Sequence, residues 1–203
     1  MCVSVNSRSN TSRTIDPEFL LLAYCNGYFP MAEPKTGEIG WFSPDPRAIF
    51  ELDEFHVPRS LRLFIKKNVF DIRINTRFEE VMRACGEREE TWISKDIVQT
   101  YMRLHASGFA HSVESWKDGK LAGGLYGVAI GGAFFGESMF SRERNASKAA
   151  LVHLVERMKS RGFTLLDTQW TTPHLKMFGA KEIPREEYLK RLTKAIKKQC
   201  VFD

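Results

Sequence analysis

The sequence lacks the features that mark zinc-binding, secreted and membrane-spanning proteins. Its four cysteines, at positions 2, 25, 85 and 200, form no C-x-x-C pair, so we expect reduced thiols and neither a metal site nor a dithiol redox motif. No stretch approaches the roughly 18 uninterrupted apolar residues of a membrane span. Residues 1–13 are polar and contain no apolar signal segment. We therefore expect a cytoplasmic protein with no membrane partner and a mobile polar tail over residues 1–13.

The bulk composition is that of an ordinary globular protein. With 203 residues, 43% hydrophobic and 27% charged, the chain is long enough for one sizeable core or for a main domain with a smaller appendage. The net charge of +5 is moderately basic. This charge is compatible with a polyanionic partner such as a nucleic acid, but does not require one.

The first quarter of the chain contains a helix and then an irregular segment. Asp16 and Pro17 are typical of a helix start, and Asn26-Gly27 of its end. Residues 28–47 contain four prolines and several aromatic residues with little periodicity, which predicts an ordered loop region. We place a domain boundary near its end, giving a small N-terminal domain over residues 1–46 and a larger domain over residues 47–203.

The rest of the chain predicts an α+β fold. Thr76 and Glu79 fit a capping box, and Ser94 fits a helix cap. The segments SVESW, LAGGLYGVAI and AFFGESMF predict a three-stranded meander, followed by a helix capped by Asn145 or Ser147, a strand FTLLDTQ and a last helix. This order matches an N-acetyltransferase-like (GNAT) core, with a mixed, largely antiparallel sheet flanked by helices.

Such cores place the acyl donor at the junction between strand and helix, which here is the segment GESMFSRERNASKAA. Users of acetyl-CoA generally have a glycine-rich turn there, whose N–H groups bind pyrophosphate at the helix start. The corresponding SRERNASK contains no glycine. The sequence therefore favours acyl transfer without the signature of a CoA donor.

Three polar side chains are predicted at the ends of neighbouring central strands. Glu137 is surrounded in sequence by aromatic residues and methionine, while Asp167 and Gln169 share one face of the following strand. Glu137 would lie either in a half-buried pocket, with a raised or salt-bridged pKa, or on the outer face beside Arg142 or Lys148. For Asp167 and Gln169 the alternative is capping of the next loop.

Other chemical groups give weaker signals. Ser141, Asn145 and Ser147 are ordinary helix caps, and no G-x-S-x-G elbow is present. The histidines at 111, 153 and 174 show no metal-ligand spacing. Trp41 and Phe42 beside Arg47 are a combination that binds a base and a nearby phosphate, or else forms a hydrophobic plug between domains.

The ordered set AYCNGYFPM, WFSPDPRA, EETWIS, GGAFFGESMFSRERNASKAAL, LLDTQ and HLKMFGAKEIPREEYL closely resembles the leucyl/phenylalanyl-tRNA–protein transferase family over residues 17–192. The resemblance implies a small N-terminal domain joined to a GNAT-like domain. It also implies transfer of Leu or Phe, with Met as a further candidate, from aminoacyl-tRNA to proteins with N-terminal Arg or Lys, which creates an N-degron for proteolysis. No metal or other cofactor is implied, and we expect a monomer.

The resemblance also implies roles for individual residues. Gln169 would hydrogen-bond the attacking amine, Asp167 would orient or polarise that amine, and Glu137 would hold an amine or ribose hydroxyl of the aminoacyl-adenosine. An apolar pocket for the amino acid is implied at Leu125, Phe134, Leu151 and Leu166.

Met31 departs from the family, which usually has an aromatic residue at that place to stack on the terminal adenine. Met31 would cover the base more weakly than a ring does, unless Trp41 or Phe42 compensates. The basic helices SLRLFIKKN and LKRLTKAIKK are candidate tracks for tRNA phosphates, with surface solubility as the alternative. The rival functions are a CoA-dependent N-acyltransferase of the same fold and a non-catalytic module that binds tRNA or N-degrons.

Overall fold

The computed structural model describes residues 14–203, so the predicted tail over residues 1–13 lies outside the described part. Within it the helices are α1 Pro17–Cys25, α2 Arg59–Ile65, α3 Phe78–Gly86, α4 Lys95–Ala106, α5 Ala146–Ser160, α6 Pro173–Lys176 and α7 Arg185–Ala195. The strands are β1 Phe29–Ala32, β2 Ile39–Phe42, β3 Arg47–Phe50, β4 Asp71–Ile74, β5 Ala110–Lys117, β6 Lys120–Ile130, β7 Ala133–Ser141, β8 Leu165–Gln169 and β9 Lys181–Ile183. None of the described helices combines the length and apolar character needed to cross a membrane.

Seven strands form one mixed sheet in the order β4-β5-β6-β7-β8-β3-β9. All neighbours are antiparallel except β7 and β8, which run parallel on either side of the crossover helix α5. The predicted α+β class, the meander and the mixed, largely antiparallel sheet are confirmed. The proline-rich segment after α1, predicted as a loop, instead contains the separate hairpin β1–β2.

The sheet is covered on both faces. Successive residues of a strand point to opposite sides, so Leu125 joins the cluster under α2 and α5, while Tyr126 joins the cluster under α1, α3, α4 and α7. The same alternation separates Phe134 from Phe135 and Leu166 from Leu165. The central strands are therefore buried on both faces, and any site between them is enclosed by two cores.

The caps predicted for α1 and α4 are confirmed, and the capping box predicted for α3 is wrong. Asp16 accepts from the Phe19 N–H at 3.0 Å, and Ser94 accepts from the Ile97 N–H at 3.2 Å. Thr76 forms no capping box, because its hydroxyl donates to the buried carboxylate of Glu114. The Glu114 carboxylate is fully buried and needs hydrogen-bond donors, since a buried charge without partners is costly.

The start of α5 also differs from the sequence prediction. Asn145 directly precedes the helix in the left-handed region, with φ 67°, and its side chain makes no capping bond. Instead, Ser141 at the end of β7 accepts from the Ser147 N–H at 3.3 Å and donates to the Glu143 carbonyl at 2.8 Å. Ser141, which lies before the helix, therefore caps α5 through the tight turn that follows β7. The predicted role of Ser141 as a helix cap is confirmed.

Candidate active site

A cavity lies where β7 and β8 separate. The two parallel strands pair only as far as Phe135 and Asp167 and then diverge. The cavity, of about 560 Å³, fills the gap. Its walls include Met31, Leu125, Tyr126, Glu137, Leu151, Leu166, Gln169, Trp170 and His174. Because residues of both core clusters line it, the cavity runs between the two faces of the sheet.

A β-bulge directs Glu137 towards this cavity. Tyr126 is opposite Ser138, but Gly127 is opposite Gly136, so Glu137 has no partner on β6. The alternation of side chains between the two faces of the sheet therefore shifts at this point. Phe135 and Phe140 lie against the same core cluster although they are five positions apart, an odd spacing that would put them on opposite faces of a regular strand. Bulges of this kind re-aim side chains and are frequent beside active sites.

The Glu137 carboxylate is held by neutral donors. The Tyr24 hydroxyl donates to Oε1 at 2.7 Å and the Tyr101 hydroxyl donates to Oε2 at 3.2 Å. The Gln169 Nε2 donates to Oε1 at 3.5 Å. Burial raises the pKa of Glu137 to about 7, against the lowering effect of the two hydroxyls.

The half-buried alternative for Glu137 is therefore the correct one, and the pairing with Arg142 or Lys148 is wrong. Arg142 lies outside the cavity and forms ion pairs with Glu80 and Glu87. The bulge turns Glu137 inward, away from Arg142 in the turn after β7 and from Lys148 in α5.

Asp167 has the opposite environment. Its carboxylate is fully buried and accepts from the Arg47 Nε at 2.9 Å and Nη2 at 2.6 Å, a bidentate pair. The Tyr188 hydroxyl at 2.7 Å and the Gln169 N–H at 2.9 Å supply two further donors. Four donors occupy the lone pairs of Asp167, which lies beneath the cavity and does not line it.

This pair corrects the interpretation of Arg47 as a phosphate-binding group. Arg47 is fully buried, and its guanidinium lies between the rings of Phe29, at 4.9 Å, and Tyr188, at 4.6 Å. The sequence interpretation failed because the counter-charge of Arg47 is 120 residues away in the chain. Of the two alternatives for this segment, the hydrophobic plug fits the structure better.

Gln169 lies between the two carboxylates. It is almost fully buried, lines the cavity and has a left-handed backbone, with φ 58°. Thr168 is an unpaired residue between the Asp167 and Gln169 pairs with β3. This irregularity, together with the bond from the Gln169 N–H to Asp167, turns the side-chain amide towards Glu137.

The apolar walls contain three of the four residues expected for the amino-acid pocket. Leu125, Leu151 and Leu166 line the cavity. Phe134 does not; it lies behind them, stacked on Phe202 with ring centroids 5.1 Å apart.

The mouth of the cavity also differs from the expectation. Met31 lines it, but Trp41 and Phe42 do not. Instead, Trp170 stands at the wall with 44% of its surface exposed, its ring edge-on to Phe29 at 5.1 Å.

Sequence reasoning missed the tyrosines. The hydroxyls of Tyr24 and Tyr101 both contact Glu137, and Tyr126 lines the same cavity. A tyrosine on the buried side of a helix needs a partner for its hydroxyl, and that requirement was the available signal. Among residues 14–203, no cluster of His, Cys, Asp and Glu suited to a metal ion is found.

A second cavity, of about 510 Å³, lies between α2 and the start of α5 and has a basic wall formed by Lys67, Arg144 and Lys148. The basic face of α7 differs, because Lys190 is paired with Glu186, and Arg191 with Glu51 and Glu187.

Comparison with known proteins identifies the family. The model of the family described as "Leucyl/phenylalanyl-tRNA protein transferase" matches residues 49–193, and the model of its N-terminal domain matches residues 13–45. A relative from Gloeobacter violaceus, named "Leucyl/phenylalanyl-tRNA--protein transferase", is 55% identical over 93% of this chain and 98% of its own. A relative of the same name from Herpetosiphon aurantiacus is 54% identical over 94% of this chain and all of its own.

A solved structure, that of L-PGS from Bacillus licheniformis, matches 79% of this chain and 55% of its own with a TM-score of 0.42 and 15% identity, a likeness too distant to support an argument. The family models and the relatives together cover nearly all of the described residues. The chain belongs to the leucyl/phenylalanyl-tRNA protein transferase family.

Proposed function

We propose that this chain transfers Leu or Phe, with Met as a further candidate, from aminoacyl-tRNA to the α-amine of proteins that begin with Arg or Lys. The observation that carries the proposal is the Glu137 carboxylate, which lies at the junction of an apolar pocket and the Gln169 amide with only neutral hydrogen-bond donors among the described residues. A carboxylate in such surroundings is suited to bind a cationic amine from a ligand.

The reaction is ester aminolysis. The nitrogen lone pair of the acceptor attacks the ester carbonyl carbon, the C–N bond forms, and the C–O bond to the terminal ribose breaks. The proton lost by the nitrogen is taken up by the ribose oxygen. The ester is already activated, and an α-amine with a pKa of about 7.7–8.0 is partly neutral at cellular pH. Alignment of the two reactants therefore supplies much of the acceleration.

The residues take distinct roles in this proposal. Gln169 hydrogen-bonds the attacking amine, and Glu137 binds the α-amine of the aminoacyl ester. Asp167, whose oxygens are occupied by four donors, acts as a positioning residue that fixes the Gln169 backbone. Leu125, Leu151 and Leu166 surround the Leu or Phe side chain.

We also propose a tRNA path and a cellular setting. The basic cavity beside α2 favours that helix as the phosphate track, whereas ion pairs within α7 weaken the case for the last helix. The protein would act as a cytoplasmic monomer that marks acceptors as N-degrons. Its small domain, residues 1–46, would be joined to a GNAT-like domain, residues 47–203, a division supported by the separate β1–β2 sheet.

Incubation with labelled Phe-tRNA and peptides that begin with Arg, Lys or Ala tests the activity. We expect transfer to the first two peptides only, with Gln169→Ala abolishing transfer while it retains tRNA binding. Transfer from acetyl-CoA would favour the CoA-dependent alternative, and tRNA binding without transfer would favour a binding module.

Salt dependence tests the tRNA path. Each of Lys67→Ala and Arg144→Ala should reduce the slope of log K against log salt by about 1, and Lys190→Ala should leave it unchanged. A slope that responds to Lys190→Ala alone would move the path to α7.

A further inference from the structure

Two polar atoms in the wall of the main cavity have no partner. Among the buried side-chain nitrogen and oxygen atoms of residues 14–203, only the Tyr126 Oη and the His174 Nε2 lack a hydrogen bond, and both residues line this cavity. Buried polar groups in native proteins are nearly always paired, so unpaired ones need an explanation. Because both residues line the same cavity, a ligand bound there is a candidate for the missing partner.

Tyr126 is held in a fixed position. It is fully buried, its ring lies edge-on to Tyr101 at 5.7 Å and to Phe78 at 6.0 Å, and its backbone is opposite Ser138, next to the bulge. Burial, with a contribution from the charges of Tyr101 and Glu137, raises the pKa of Tyr126 well above its usual value. The hydroxyl is therefore protonated at neutral pH and is a potential donor with no acceptor among residues 14–203.

The neighbouring hydroxyls are already engaged. Tyr24 and Tyr101 both donate to Glu137, and that carboxylate is assigned to the substrate amine. Two polar atoms of the aminoacyl ester remain, the ribose oxygen that leaves and the carbonyl oxygen, and the carbonyl oxygen gains negative charge when the amine attacks and so needs a donor. Tyr126 offers an uncommitted one among the residues that line the cavity, and its strand partner is Ser138, the residue after Glu137.

We propose that the Tyr126 hydroxyl is a catalytic hydrogen-bond donor to the carbonyl oxygen of the aminoacyl ester. When the amine attacks, the C=O π electrons move onto that oxygen, and Tyr126 stabilises the negative charge without giving up its proton. The carbonyl re-forms as the ribose oxygen leaves with the proton from the nitrogen. Donors aimed at an oxygen that gains charge accelerate such steps strongly. This inference rests on the proposed transfer function.

The Tyr126→Phe variant tests the proposal, because it removes the oxygen and keeps the ring. We expect kcat for transfer from Phe-tRNA to fall by roughly 10²- to 10³-fold, with KM for Phe-tRNA within about threefold of wild type. We expect the thermal midpoint to stay the same or to rise, because the deleted hydroxyl has no hydrogen-bond partner in the described part of the chain. Loss of activity without loss of stability is the signature of a group that acts only on the substrate.

Tyr101→Phe is the matched control. It removes a hydroxyl from the adjacent ring but also a donor from Glu137, so it should move the pH–rate profile to higher pH. Tyr126→Phe should lower the whole profile and leave its shape unchanged.

The possible outcomes separate the two proposals. A wild-type chain that transfers, with a Tyr126→Phe variant that transfers equally well, would overturn the role of Tyr126 alone. A raised KM with unchanged kcat would also overturn the role of Tyr126, since the hydroxyl would then bind the ground state. A marked loss of stability would overturn it as well, because it would reveal a structural partner of the hydroxyl. A wild-type chain that transfers nothing would overturn the proposed function and this inference together.

Discussion

Asp167 and Glu137 are carboxylates on neighbouring strands, but their surroundings differ in burial and in hydrogen-bond donors. Asp167 is fully buried and accepts four hydrogen bonds, two of them from the Arg47 guanidinium. Glu137 is half-buried, faces the cavity and accepts only from two phenols and an amide. Among the described residues a cation pairs with Asp167 and none pairs with Glu137, which supports the proposal that Asp167 has a positioning role and that Glu137 binds the substrate.

The largest expected effect comes from breaking the neutralised site. Asp167→Asn leaves Arg47 buried without a counter-charge, and we expect the free energy of unfolding to fall by about 3–5 kcal/mol. Urea denaturation measures the loss. Replacing both partners, as in Arg47→Met with Asp167→Leu, should recover much of it, since a well-packed apolar pair is often as stable as a buried ion pair. A loss below about 1 kcal/mol in the single variant would contradict this account of Asp167.

The contribution of Glu137 to the free energy of unfolding should change with pH in the opposite sense from that of a carboxylate paired with a cation. Because the folded-state pKa of Glu137 is raised from 4.5 to about 7, the folded chain holds more protons than the unfolded chain between those values. The free energy of unfolding contributed by Glu137 therefore falls as pH rises through that window, by up to about 3 kcal/mol. Glu137→Gln should lack this fall, so the stability of the variant relative to wild type should grow from pH 5 to pH 7. Parallel curves for the two proteins would contradict the prediction.

The transfer activity of a Glu137 variant tests the same difference between the two carboxylates. Glu137→Gln removes the charge that binds the substrate amine, and we expect kcat/KM for Phe-tRNA to fall roughly 10- to 150-fold, from about 1.5–3 kcal/mol of lost interaction. Glu143→Gln, at an exposed glutamate paired with Lys117, is the matched control and should stay near wild type. Equal activity of the two variants would remove Glu137 from the site.

The smallest expected effect is at the edge of the neutralised site. Tyr188→Phe removes one of the four donors to Asp167 and leaves Arg47 in place, so the free energy of unfolding should fall by about 1 kcal/mol. Transfer measured with saturating Phe-tRNA should stay within about twofold of wild type. A large loss of transfer with little loss of stability would mean that Asp167 acts on the substrate, contrary to the positioning role.

Local patterns in the sequence predicted most of the fold. Asp16 and Ser94 cap the helices that they were expected to cap, and the KDGK turn joins β5 to β6. The two-residue period also placed Asp167 and Gln169 at the end of a strand beside that of Glu137. The hairpin β1–β2 was missed because each strand has only four residues and the prolines around it predict a loop.

The site was only partly predictable, because its decisive contacts are long-range. The sequence left Arg47 either in a site for a base and a phosphate or in a hydrophobic plug, because its partner Asp167 is distant in the chain. Glu137 has partners on α1 and α4 that no local pattern reveals. The bulge that turns Glu137 inward is one extra residue in an otherwise regular strand. Trp170 was not singled out because its exposed position at the cavity depends on the turn after β8.

The left-handed backbone of Gln169 has a consequence for protein engineering. Glycine and asparagine adopt this conformation with less strain than glutamine, and such strained residues cost of order 1–3 kcal/mol. A library selected only for thermal resistance should therefore enrich Gly or Asn at position 169 and yield robust proteins with impaired transfer. Selection for both properties would be needed to keep the glutamine, which makes position 169 a sensitive reporter of whether a screen has preserved catalysis.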